Sequence, residues 1–314
     1  MLVLCVVVAV VAAGVAAVSA LVSRQGPDPG PAGGRGVAAA PTPVAPAERA
    51  FPDAGTTGVP DGVELIPSGG FAVREDGALI EDLLVVDGAI EVYADDVTIR
   101  NVRVTNQEQM LYWGVAQRRG FSGLVVENSE IFGNRESSEK ISAGIYNHGG
   151  MITVRRVEIH SVTDAIMTSH GLIEDSYLHS PRYFDGDHTD MIQAVGGSRE
   201  GLPLEIRNNT IINTENQTSA VFLSDEAGGG QQVPVQNVLV EHNLLAGGGY
   251  TLYGGGLVAD GRDPRDIVIR DNVFSRQVWP DGGYWGPVTY FDPAAPGNEW
   301  SGNVWDDGSP MSPG

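Results

Sequence analysis

One pattern of apolar and polar positions repeats along the chain. An eight-residue block occurs as VTIRNVRV from Val97, LVVENSEI from Leu124, ITVRRVEI from Ile152 and GLIEDSYL from Gly171. It returns as LEIRNNTI from Leu204, VLVEHNLL from Val238 and IVIRDNVF from Ile267. The third position is always apolar: Ile99, Val126, Val154, Ile173, Ile206, Val240 and Ile269. So is the eighth: Val104, Ile131, Ile159, Leu178, Ile211, Leu245 and Phe274. Between them stand turn-formers, with Asn101, Asn128, Asp175, Asn208, His242 and Asp271 in the fifth place. Apolar residues alternate on both sides of this interruption, and no period of 3.6 is sustained. The block therefore reads as strand, sharp polar corner, strand.

The copies start 19 to 34 residues apart, the spacing of a solenoid. A single unit cannot bury its own apolar face, whereas stacked copies share a continuous interior and pair their backbones. Asn and Asp suit the corner because they tolerate left-handed backbone. A β-sandwich would not require the same inward positions in every copy. The pattern predicts an all-β fold, a single-stranded right-handed parallel β-helix of about seven or more coils.

A third strand per coil is predicted at Ala143–Tyr146, Ala165–Met167, Met191–Gln193, Ala220–Leu223 and Tyr250–Tyr253. The unequal spacings then fall in loops at particular edges, where sites on a rigid scaffold usually sit.

Residues 1–23 read differently. Leu2 to Val22 is apolar or small throughout, long enough to span a bilayer as a helix. Val18-Ser19-Ala20 fits a cleavage site, although no basic residue precedes the segment. Cleaved signal peptide and retained anchor both remain open. Residues 24–50 are rich in Pro, Ala and Gly and read as an extended linker. The β-helix domain is expected over 51–314, ending in a cap, and its contact with a membrane only through the N-terminal segment. Extracellular placement follows from this organisation.

Composition narrows the partners. The net charge is −21 and Lys140 is the only lysine, which argues against nucleic acid. The sole cysteine, Cys5, lies in the leader, so the domain carries no disulfide. The 42 glycines suit tight repeated turns.

With these features the chain resembles the right-handed parallel β-helix proteins of the pectate-lyase-like superfamily. More closely, it is similar to secreted actinobacterial β-helix repeat proteins that open with FPDAGTTGVPDGVEL (Phe51 to Leu65). Those also share GGYTLYGGG (Gly248 to Gly256), GGYWGPVTYFD (Gly282 to Asp292) and WSGNVWDD (Trp300 to Asp307). The resemblance implies fold and secretion. For chemistry it implies only a superfamily of lyases, hydrolases, esterases, epimerases and non-catalytic adhesins.

Titratable and aromatic groups gather on the third strands and the loops beside them. They include Tyr146, His148, Asp164, Ser169, His170, Arg182, Tyr183, Asp185, Asp187, His188, Asp190 and Gln193, with Asp225 and Glu226 after them. His148, His170 and the segment from His188 to Gln193 are expected on successive rungs of one face. HTDMIQ within Asp185–Gln193 resembles the NTDGID stretch of polygalacturonase-type glycosidases, a likeness that carries the catalytic role onto Asp190. No aspartate pair follows it and no arginine-lysine signature lies downstream. Asp190, His188, His170, His148 and Arg182 are the candidate catalytic residues, as carboxylates for hydrolysis or as bases for β-elimination. Asp185 and Asp187 are the candidate calcium ligands. Tyr146, Tyr183, Gln193, Tyr250 and Tyr253 are candidate sugar contacts. Tyr250 and Tyr253 belong to a late aromatic group with Trp279, Tyr284, Trp285 and Tyr290. His160 and His179 are read as a structural ladder, His242 as a corner residue, and Trp300 and Trp305 as capping. The expected partner is a polysaccharide or cell-wall glycan, handled by a lyase or hydrolase or by a non-catalytic binding or adhesive module.

Overall fold

A computed structural model describes residues 50–195, 201–224, 234–256 and 264–313. The expected leader, nearly all of the linker, and Asp225 and Glu226 lie outside the described residues.

The block behaves as the sequence pattern requires. Its third and eighth positions all point inward, none more than 1% exposed. They stack in register from coil to coil, as in Val126↔Val154↔Ile173↔Ile206 and Ile131↔Ile159↔Leu178↔Ile211. At the fifth position the backbone turns into the left-handed region in every copy, from Asn128 (φ 46°) to Asp271 (φ 55°). Arg156 does so too (φ 52°), although an arginine has no intrinsic preference for it. Its guanidinium Nε donates to Asn128 Oδ1 of the coil before (2.8 Å), so a neighbour helps hold the strained corner.

Two further copies lie at the ends. Asp82 (φ 57°) turns between Ile80 and Val85, and Gly302 (φ 64°) turns between Trp300 and Trp305. The first, ALIEDLLV from Ala78, fits the pattern in full, whereas Trp300, Gly302 and Trp305 disguise the last.

The result is a right-handed parallel β-helix. Among the described residues its strands form three sheets of 10, 9 and 9 members, and the ladders between strands are parallel. The first sheet runs from Ile66–Ser68 to Val304–Trp305 and the second from Phe71–Val73 to Gly286–Thr289. The third runs from Leu79–Glu81 to Glu299–Ser301. The eight-residue block is the passage from third sheet to first. Insertions collect at the other two edges, leaving the block's corner short.

The sixth block position carries an internal polar ladder that the apolar pattern does not reveal. Asn209, Asn243, Asn272 and Asn303 are buried, and each side-chain amide of the first three donates to the next Oδ1 at 2.9–3.0 Å. Outside the first sheet, Phe132, His160 and His179 stack at 5.1 Å between ring centroids. His160 and His179 thus form the expected ladder, with Glu130 and Glu158 beside them at 3.5 and 3.1 Å.

Residues 50–65 do not start at the first coil. The ring of Phe51 lies 5.3 Å from that of His242, and Gly58 N–H donates to the Arg156 carbonyl (3.1 Å). Ile66 then pairs with Leu83. The segment is a strap laid backward over the coils before the first turn begins. At the far end Trp300 packs on Phe274 and Phe291 (5.7 and 5.5 Å) and donates its indole N–H to the Met311 carbonyl.

Candidate functional site

The outer face of the second sheet is shaped by its strands' burial pattern. Each central strand places two consecutive residues inward, such as Ala165–Ile166 and Ala220–Val221, so outward positions recur three apart. One outward row is Tyr146, Met167, Gln193, Phe222, Tyr253 and Thr289. A second row, nearer the strand starts, contains Asp190 paired with Ser219. The insertions 133–140, 180–189, 214–218 and 276–285 precede strands of this sheet and overhang their starts.

Between these overhangs lies a cleft of about 390 Å³ lined by His188, Asn216, Gln217, Thr218, Phe222, Gly249, Tyr253 and Trp285. The outward row supplies its floor, with the Phe222 and Tyr253 rings 5.0 Å apart. Trp285 is 67% exposed and stands edge-on to Tyr284. Its backbone N–H donates to the Gly249 carbonyl (2.7 Å) and that of Tyr284 to Gly248 (2.9 Å). The approach is so close that a Cβ on Gly283 would lie 2.4 Å from the Gly286 oxygen, hence glycine there. Asn213, fully buried, ties the other wall together by donating to the carbonyls of Thr189, Gln217 and Ser219.

Beside the cleft is a group of carboxyls. Asp164 Oδ1 accepts from the Asp190 backbone N–H (2.8 Å), and Ser219 Oγ donates to Asp190 Oδ1 (2.7 Å). Asp187 holds Lys140 Nζ at 2.7 and 2.6 Å and accepts from Thr163 Oγ1 at 3.4 Å. Burial above all, with the Asp187 charge adding to it, pushes the Asp164 carboxyl up to about 7. Asp190 is fully buried.

Only part of the expected histidine row is brought together, His148 and His170 lying just after neighbouring, paired strands of the second sheet. His148 and His170 follow their second-sheet strands, whereas His188 precedes the strand Asp190–Val195. The length of an extended strand, on the order of 15 Å, therefore separates them. Sequence proximity to a strand gives no information about which end a side chain occupies once the coils are stacked. His170 is 5% exposed, and its backbone N–H donates to Thr168 Oγ1. His148 lies against Tyr146 and Trp113 (3.8 and 5.8 Å), its imidazole held below the ordinary range by burial and then by Arg118 and Arg119.

Arg182 is likewise engaged elsewhere, donating to the carbonyls of Asn134 (2.7 Å) and Ser137 (2.6 Å) with its guanidinium over Phe184. It fastens one overhanging loop to another. Tyr183 is exposed, and its hydroxyl accepts from the Gly186 N–H. Asp185 is exposed while Asp187 is held by Lys140, and among the described residues no group of three or more His, Cys, Asp or Glu side chains is placed to hold a metal ion. Tyr253 lines the cleft, with Tyr250 edge-on to it at 5.7 Å. Gln193 adjoins Phe222, and its Oε1 is buried without a hydrogen-bond partner.

Phe222, Asn216, Gln217 and Thr218 were not singled out by reasoning about chemistry. The signal for Phe222 was its register with Tyr146 and Tyr253 in the third-strand segments. The loop residues carry no such signal.

No known protein family, curated protein or solved structure matches the chain. Its class is defined by its own architecture: a right-handed parallel β-helix with an aromatic cleft on the outer face of the second sheet.

Proposed function

We propose that this β-helix binds a polysaccharide, with a stretch of sugar rings lying over Phe222 and Tyr253 against Trp285. The observation that carries this reading is the cleft itself. An apolar aromatic floor with amide and imidazole groups at its rim matches a sugar, whose ring faces present C–H groups and whose edges present hydroxyls. The resemblance to secreted β-helix proteins and the apolar leader expected at 1–23 support an extracellular setting, where the polymer is a cell-wall or other external glycan.

Affinity electrophoresis tests it. Migration should slow in gels containing the cognate polysaccharide, and Trp285→Ala should abolish the retardation. Unchanged mobility across a panel of glycans would refute the reading.

Turnover by hydrolysis is a second reading, favoured by one observation. The Asp164 carboxyl, held up to about 7 by burial and by the nearby Asp187, keeps a proton near neutral pH, as a general acid requires. Reducing ends should then accumulate with the intact protein and not with Asp164→Asn. Elimination finds less support, because Arg182 is engaged by the Asn134 and Ser137 carbonyls.

A further inference from the structure

We infer that the ligand is an uncharged glycan chain long enough to occupy two adjoining clefts, a statement that rests on the polysaccharide reading and gives it a substrate class. A second cleft of about 350 Å³ is lined by Gly256, Pro264, Tyr290, Asp292, Ala294, Ala295 and Pro296. Tyr253 lines the first cleft and Tyr290 the second, and their rings are 5.8 Å apart. The aromatic rings therefore form an unbroken row from the largely buried Phe222 through Tyr253 to the exposed Tyr290. Each cleft is the size of a small-ligand site, so one short sugar fills one of them and only a chain fills both.

Charge selects the chemistry. Among the described residues the first cleft is lined by no Arg, Lys, Asp or Glu, and the second by a single carboxylate, Asp292. Among the described lining residues an anionic sugar would meet no lysine or arginine in either cleft, and it would approach a protein of net charge −21. Arginines do touch this sheet, but Arg118 lies over Trp113, whose strand is five places from that of Tyr253, roughly 24 Å at the usual strand spacing. Amides from Asn216 and Gln217 and the imidazole of His188 suit hydroxyl groups that are neutral.

Calorimetric titration of the full chain provides the test, using size-matched neutral β-linked glucan, xylan and chitin oligosaccharides and oligogalacturonates. Neutral hexasaccharides should bind, and disaccharides should bind roughly tenfold or more weakly. Trp285→Ala should weaken every length. Tyr290→Gly, which suits that residue's φ of 55°, should weaken only the long chains. Tighter binding of the uronates, with loss in Trp285→Ala, would overturn the inference while leaving the polysaccharide reading standing. Equal affinity for all lengths, or an equal effect of Tyr290→Gly on all of them, would overturn the two-cleft geometry. Binding of no carbohydrate would remove both.

Discussion

At the scale of single residues, Asp164 shows how the stacking of coils changes chemistry. Its carboxyl is buried, feels Asp187, and keeps its proton up to about 7. The unfolded chain loses that proton near pH 4, so the folded state binds the extra proton between those values. Its contribution to stability is complete below about pH 4 and is lost as pH rises toward 7. Asp164→Asn preserves the acceptor for the Asp190 N–H and removes the titration. Denaturant unfolding should find the variant more stable than the parent at about pH 8, by up to about 4 kcal/mol, and little changed at about pH 4. Glu130 behaves in the opposite sense. Burial opposes its ionisation, but His160 and Arg103 outweigh that and hold the carboxyl below its usual range. Its contribution is present at neutral pH and lost in acid, so Glu130→Gln should flatten the acid limb of the same stability curve.

At the scale of elements, the corner and the ladder do different work. The left-handed corner sets where the chain bends, and the alternation around it sets which side chains enter the interior. The Asn209–Asn243–Asn272–Asn303 ladder then fastens neighbouring corners from inside. Asn243 also donates to the Ile206 and Glu241 carbonyls, and accepts from the backbone N–H of Asn209. Asn243→Ala would leave several buried groups without partners, at about 1–3 kcal/mol for each that finds no water. We expect a loss of at least about 3 kcal/mol, read as a shift in the denaturant midpoint. Asn303→Ala, at the last rung, should cost less because it interrupts fewer links.

For the molecule as a whole, a stack of coils must be closed at its ends and kept from unzipping. Trp300 and Trp305 occupy the two inward block positions of the last coil, where smaller aliphatic residues would leave Phe274 uncovered. Trp300→Ala should lower the melting temperature and, by opening a strand edge, promote concentration-dependent association visible by light scattering. The backward strap joins the coil of His242 to the first turn. Phe51→Ala should loosen it, raising amide exchange in residues 51–65 while the central strands remain protected.

The sequence by itself determined the solenoid, its inward positions, its corners and the His160–His179 pair. These depend on local alternation repeated at a regular interval, and local alternation is what a linear reading can see. It also pointed to the second-sheet strands and to the late aromatic residues, of which Tyr253 and Trp285 meet in the cleft. Only the tertiary structure decided that His188 faces that cleft while His148 and His170 stand at the far strand ends. Only it showed that Arg182 and Lys140 fasten the loops, and that Phe222 completes the floor. Which end of a strand a loop overhangs depends on how insertions of unequal length fold across neighbouring coils. That packing is set by contacts between residues distant along the chain, and no single segment encodes it.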